Sequence, residues 1–216
     1  EKKWNLKAFI QDILLSRTYQ QSTLPEKGFQ SMQIARRLPA EFVRDNTLAV
    51  SGLLVPEIGG PSVKPFQPPG YYRHLNFPRR VYKQDTGDTQ WRRGLYVHWQ
   101  RQFLHPMMKA FDAPSREECT TQRPQSNTPL AALVLLNDPT FIEAAKAFTH
   151  RIIKNGGTSA SERLDYAFKE SISRSPDKFE SETLIALLDD PQTTEPESWT
   201  PIARAILNLA ETNLRR

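Results

Sequence analysis

A chain of 216 residues is long enough for one sizeable domain or two small ones, and folding at this length buries roughly 70% of the extended-chain surface. Its 38% hydrophobic and 25% charged residues, with 17 Pro against 9 Gly and a net charge of +5, exclude a disordered, collagenous or disulfide-stapled chain. Cys119 is the single cysteine, which rules out an internal disulfide, a Cys-x-x-Cys-His haem attachment and a Cys-rich zinc site, and no apolar run approaches the ~20 residues of a membrane span.

In chain order, Leu6, Phe9, Ile10, Ile13 and Leu14 recur at helical spacing behind Asn5, so residues 5–16 are expected to form an amphipathic helix. Residues 18–33 have no period and are expected to be loop. Pro39 stands where a first helical residue often stands, and Phe42, Val43, Leu48, Ala49 and Leu53 continue a helix toward Gly52. The dense Pro and Gly of residues 56–70 forbid a helix and open an extended insertion over about 56–88, with short strands near 62–66 and 80–83. Trp91, Leu95, Tyr96, Trp99 and Phe103 restore a period near four, predicting a helix over 89–104 that Pro106 stops.

The remainder is punctuated by a small polar residue before Pro at a first helical position: Thr128-Pro129, Asp138-Pro139 and Ser175-Pro176, with Thr200-Pro201 inside or opening the last helix. Gly156 and Gly157 stop one helix, and Ser159 with Glu162 has the spacing of a capping box for the next. The fold class expected is mainly α, about eight helices in one domain over 1–216, with one irregular insertion. The opening Glu-Lys-Lys-Trp carries neither initiator Met nor leader, and the chain is expected to be the C-terminal part of a longer protein.

Charge is placed unevenly. Residues 73–101 hold seven cations against Asp85 and Asp88, which accounts for the whole net +5, whereas residues 177–197 hold seven acids against Lys178. Interleaved with the cations are Tyr71, Tyr72, Phe77, Tyr82, Trp91, Tyr96 and Trp99. Rings stack on sugar or base faces while Arg forks hold anionic oxygens, so Tyr72, Arg79, Arg80, Trp91, Arg92, Arg93, Tyr96 and Trp99 form a candidate surface for an anionic polymer. The alternative is that these rings are core and the cations its solvated rim.

A second constellation, Asp112, Arg116 and Glu117 with His105, is dense in charge between Phe111, Pro114 and Cys119. A buried, paired carboxylate there would suit acid/base chemistry, or would be a salt bridge holding a loop. Cys119 is expected to be a buried, inert thiol. His98 and His105 are the only histidines close enough to share a helical face, and no metal site is expected. Gly59-Gly60-Pro61 precedes no helix start and is expected to be a turn rather than a phosphate nest. No nucleotide-loop, zincin or serine-hydrolase motif is present, so whether the chain is an enzyme stays open.

Four ordered segments carry a resemblance: Gly59 to Gly70, Arg92 to Trp99, Phe111 to Cys119, and Asn127 to Pro139. Over essentially Trp4 to Arg216 the sequence resembles the C-terminal domain of unknown function of large exported planctomycete proteins, which usually also carry a cytochrome c-like segment. The resemblance implies an extracytoplasmic, periplasmic location and a link to polysaccharide breakdown or electron transfer. Haem would lie elsewhere in the full-length protein, with no cofactor in this chain. Two functions follow as expectations: a module of a cytochrome c-linked protein that binds or processes anionic polysaccharide, or a non-catalytic scaffold that docks a haem domain or partner subunit. Neither nucleic acid nor a membrane span is expected.

Overall fold

Five of the eight α-helices start on a side-chain cap in the computed structural model, which describes residues 4–21, 35–74 and 79–215. The chain falls into two units, residues 1–37 with 214–216 and residues 38–213. In the first, α1 (Leu6–Leu14) is capped by Asn5, whose side chain accepts the Ala8 N–H at 3.1 Å. None of its residues is buried, so Leu6, Phe9, Ile10, Ile13 and Leu14 form an exposed apolar face. A two-residue antiparallel pair, β1 (Arg36–Arg37) with β2 (Leu214–Arg215), completes this unit. The predicted loop over 18–33 lies mostly outside the described residues, as does Phe77.

The second unit is helical around two buried clusters. Its helices are α2 (Ala40–Ser51), α3 (Pro106–Ala110), α4 (Pro129–Asn137), α5 (Pro139–Asn155), α6 (Ala160–Ile172), α7 (Lys178–Ile185) and α8 (Pro196–Asn208). The mainly α class expected from sequence is what folds. Pro129, Pro139 and Pro196 each occupy a first-turn position, where the missing N–H costs nothing. Thr128 and Asp138 supply the cap oxygens, and Ser159 and Glu162 make both halves of a capping box.

Helix α5 shows why the bundle is stable. Phe141, Ala144, Ala145, Phe148, Thr149 and Ile152 recur three and four apart and are all buried, with Phe148 fully so; each large side chain removed from water contributes roughly 1.5–3 kcal/mol. One cluster gathers α5, α6 and α8 around Trp199, whose indole N–H donates to Thr193 O at 3.0 Å. The other gathers Val43, Met107, Met108, Phe111 and Phe141 with Val63, Val97 and Leu104 from the irregular segment. Helix α2 contributes to both, through Val50 and Val43.

Several local expectations are corrected. Residues 89–104 are not a helix: two 3-10 turns, Gly87–Trp91 and Gly94–Tyr96, are followed by extended chain, and Pro106 opens α3 instead of ending a helix. Gly94 is pressed against α2 so closely that a Cβ there would lie 2.8 Å from both Cα and O of Glu41, and its N–H donates to Asp45 Oδ1. Short strands at 62–66 and 80–83 do not form; Val63 makes a single parallel bridge to Val97, with Val63 N–H donating to Tyr96 O and His98 N–H to Val63 O. Pro39 is the cap of α2 rather than its first residue, and Asp177 rather than Ser175 caps α7; Pro201 lies inside α8, one of the two places expected for it.

Candidate functional site

The insertion is fastened to the bundle from α2. Arg44, only 1% exposed, donates from its guanidinium to the Gln90 and Arg92 carbonyls, and burial pulls its pKa down to about 10. Asp45 takes the Gly94 N–H, with burial pushing its carboxyl upward. These ties hold the 3-10 turns on α2, and the Val63 and Val97 bridge carries the chain on to a pocket.

That pocket has a volume of about 570 Å³ and is lined by Gln67, Tyr71, Tyr72, Tyr82, Arg73, Arg79 and Arg80, with Pro68, Pro69, Gly70 and Val81 completing its wall. Its rings form one packed group: Tyr72 meets Tyr82 edge-on at 5.5 Å and Phe103 at 5.9 Å, and Tyr71 meets Phe103 edge-on at 5.9 Å. The Tyr71 hydroxyl donates to Leu104 O at 2.8 Å and the Tyr82 hydroxyl to Pro65 O at 2.6 Å. Desolvation raises the pKa of all three phenols, Tyr82 most, so they stay protonated and neutral. The charge of the pocket therefore comes from its guanidiniums.

Those guanidiniums carry no ion pair among the described residues: no carboxylate there lies within ion-pair distance of Arg73, Arg79 or Arg80. Arg73 Nε donates to His74 Nε2 at 3.0 Å and Arg80 Nη1 to Gln100 Oε1 at 3.3 Å, which leaves their remaining N–H groups available. Gln67 is 8% exposed, and its Oε1 is buried without a hydrogen-bond donor. A buried amide oxygen left in that state costs roughly 1–3 kcal/mol.

The structure brings Tyr72, Arg79 and Arg80 together and places the other candidates elsewhere. Arg92 is 4% exposed and spends its guanidinium on the Gly59 and Pro61 carbonyls, 4.2 Å over the Tyr96 ring, while the Tyr96 hydroxyl accepts the Gly59 N–H at 2.9 Å. The glycine pair is thus a gripped turn, as expected. Trp91 is half-buried and Arg93 exposed, both outside the pocket lining. Trp99 is half-buried, its indole N–H donating to Ser115 O at 3.0 Å with the Arg116 guanidinium 3.8 Å above its ring.

Asp112, at φ +60°, accepts from the Ser126 N–H and hydroxyl at 2.8 and 2.9 Å, an arrangement that closes the loop. Glu117 is exposed, 3.9 Å from Arg101 Nε. Cys119 is exposed, a correction to the buried thiol expected. His105 is 3% exposed, with Nε2 2.8 Å from Phe66 O and Nδ1 lacking a partner; burial lowers its pKa to about 4, so the ring is neutral with its proton on Nε2. It packs beside Tyr82 at 6.5 Å and supports the pocket from behind. Asp112, Arg116, Glu117 and His105 do not line the cavity. Among the described residues no group of three His, Cys, Asp or Glu could hold a metal ion, and no helix is long and apolar enough to cross a membrane.

Gln67 is absent from the sequence-based set because a lone glutamine between Phe66 and Pro68 carries no pattern. Tyr71 and Arg73 are legible only as parts of the wider basic-aromatic run.

A mainly α scaffold carrying a tyrosine and arginine pocket on an irregular arm is the class of protein these features define. The chain belongs to the PSD1 family, described as a protein of unknown function (DUF1553), whose model matches residues 1–188. No curated protein and no solved structure matches it.

Proposed function

We propose that the pocket between Gln67 and Tyr82 binds an anionic saccharide, one bearing sulfate or carboxylate groups, and that the chain serves as the polysaccharide-binding module of an exported, cytochrome c-linked protein. One observation carries this reading: three guanidiniums without carboxylate partners and three neutral phenols surround one cavity of about 570 Å³. Guanidinium forks match sulfate and carboxylate oxygens, and charge-assisted bonds of this kind contribute roughly 1.5–3 kcal/mol each. The Tyr72 hydroxyl, which has no hydrogen-bond partner among the described residues, suits a sugar hydroxyl.

Calorimetric titration with a sulfated oligosaccharide and its desulfated counterpart tests this. The sulfated ligand should bind and the neutral one should bind at least tenfold more weakly; Arg79→Ala with Arg80→Ala should abolish the difference. Equal affinity for both ligands, or an unaffected double variant, overturns the reading.

A second reading, a scaffold that docks a haem domain or partner subunit, draws support from apolar side chains at the surface. These are the exposed face of α1 and, within the acidic stretch, Phe179 and Leu187 at 76% and 54% exposure. Loss of co-purification of a c-type cytochrome after Phe179→Ser and Leu187→Ser would favour it, and no co-purification with the unmutated chain would defeat it.

A further inference from the structure

We infer that the site continues beyond the pocket as a track running from Arg80 through Gln100 and Arg101 to the Arg116 and Trp99 stack, so that its ligand is a polyanionic saccharide chain gripped at successive units rather than a single sugar. This rests on the pocket reading above. The link is direct: Arg80 lines the pocket and its Nη1 donates to Gln100 Oε1, while Trp99 and Arg101 are the immediate neighbours of Gln100, each Cα ~3.8 Å along the backbone.

The segment that carries these groups is the wall of the pocket itself. Phe103 packs against Tyr71 and Tyr72, Leu104 O takes the Tyr71 hydroxyl, and the turn between them is closed by a bridge from Gln100 to Phe103 with Gln102 at φ +64°. Pocket and track are therefore held at a fixed spacing. At its far end Trp99 is anchored through Ser115 O, and Arg116 lies over the ring, so its guanidinium is positioned before a ligand arrives instead of being ordered by it.

Along this line Arg73, Arg79, Arg80, Arg101 and Arg116 are all exposed. Among the described residues the acid within ion-pair distance of them is Glu117, 3.9 Å from an Arg101 side chain that is 82% exposed, a separation that leaves Arg101 free to turn outward. A row of exposed cations beginning in a pocket fits a chain with a repeating negative group. The phenol-lined pocket at its head, with the Tyr72 hydroxyl lacking a hydrogen bond among the described residues, favours a sugar over a purely electrostatic ligand.

The test compares sulfated di-, tetra- and octasaccharides and a single-stranded oligodeoxynucleotide of matched charge against the unmutated chain, Arg101→Ala with Arg116→Ala, and Arg79→Ala with Arg80→Ala. Arg101 and Arg116 are solvent-exposed, and circular dichroism checks that the fold is kept. Affinity should rise about tenfold or more from disaccharide to octasaccharide, and the Arg101 and Arg116 double variant should lose that rise while binding the disaccharide as before. A rise that survives this variant overturns the track and leaves the pocket standing. A disaccharide that fails to bind, or whose binding ignores Arg79 and Arg80, overturns the pocket reading. Oligodeoxynucleotide binding as tight as that of the octasaccharide, with the same loss in the Arg101 and Arg116 variant, overturns the assignment to saccharide.

Discussion

His105 allows a quantitative test of how the pocket is supported. Its imidazole is buried beside Tyr82, its Nε2 proton committed to Phe66 O, and Arg44 nearby adds to the burial that holds its pKa at about 4 instead of the ordinary 6.5. Above pH 6.5 the ring is neutral whether the chain is folded or not, and it adds no pH dependence. Below 6.5 the unfolded chain takes up a proton that the folded chain refuses, so stability falls as the pH drops and levels off below about 4. The gap between the two values corresponds to about 3 kcal/mol. His105→Gln keeps an amide donor for Phe66 O and cannot be protonated. Urea unfolding at pH 7 and pH 4 should show the unmutated chain losing about 3 kcal/mol more than the variant over that interval. The subtraction removes the contributions of Asp45 and Asp138, whose raised pKa values act in the opposite sense. Parallel pH dependence in the two proteins would refute the assignment of a neutral, desolvated ring.

Gly94→Ala forces a methyl to within 2.8 Å of the α2 backbone and should lower stability by more than about 2 kcal/mol, read as a fall in melting temperature. Arg44→Met removes the donors from the Gln90 and Arg92 carbonyls and should cost about 3 kcal/mol in urea unfolding, with saccharide affinity falling alongside because the arm loses its tie. Ser159→Ala dismantles the capping box of α6 far from the pocket and should cost about 1 kcal/mol while leaving ligand affinity unchanged.

What the sequence disclosed and what it hid follow from how local each signal is. Thr128-Pro129, Asp138-Pro139 and Ser159 with Glu162 act within a turn of their own helices, so their spacing alone was sufficient to place α4, α5 and α6. The aromatics from Trp91 to Phe103 mimic a helical period for a different reason: Tyr96 serves the Gly59 turn, Trp99 serves Ser115 and Arg116, and Phe103 serves Tyr71 and Tyr72. Each ring answers to a distant partner, which no window of local sequence contains. The same holds for the site. The surplus of Arg was visible, yet the division into Arg92, buried as a clamp, and Arg79 and Arg80, left at the pocket without a carboxylate among the described residues, depends on which carbonyls and carboxylates the fold delivers to each.

The arm that bears the pocket is attached by a handful of discrete ties and, among the described residues, contributes none between Val63 and Tyr96 to either buried cluster. Its shape is thus set by those ties and by its own ring packing more than by either core cluster. Substitutions at its exposed positions, Arg73, Arg79, Arg80 and Val81, should alter ligand preference far more readily than foldedness, which makes this rim an exchangeable surface: divergence, natural or engineered, can rewrite it while the bundle beneath keeps its own register.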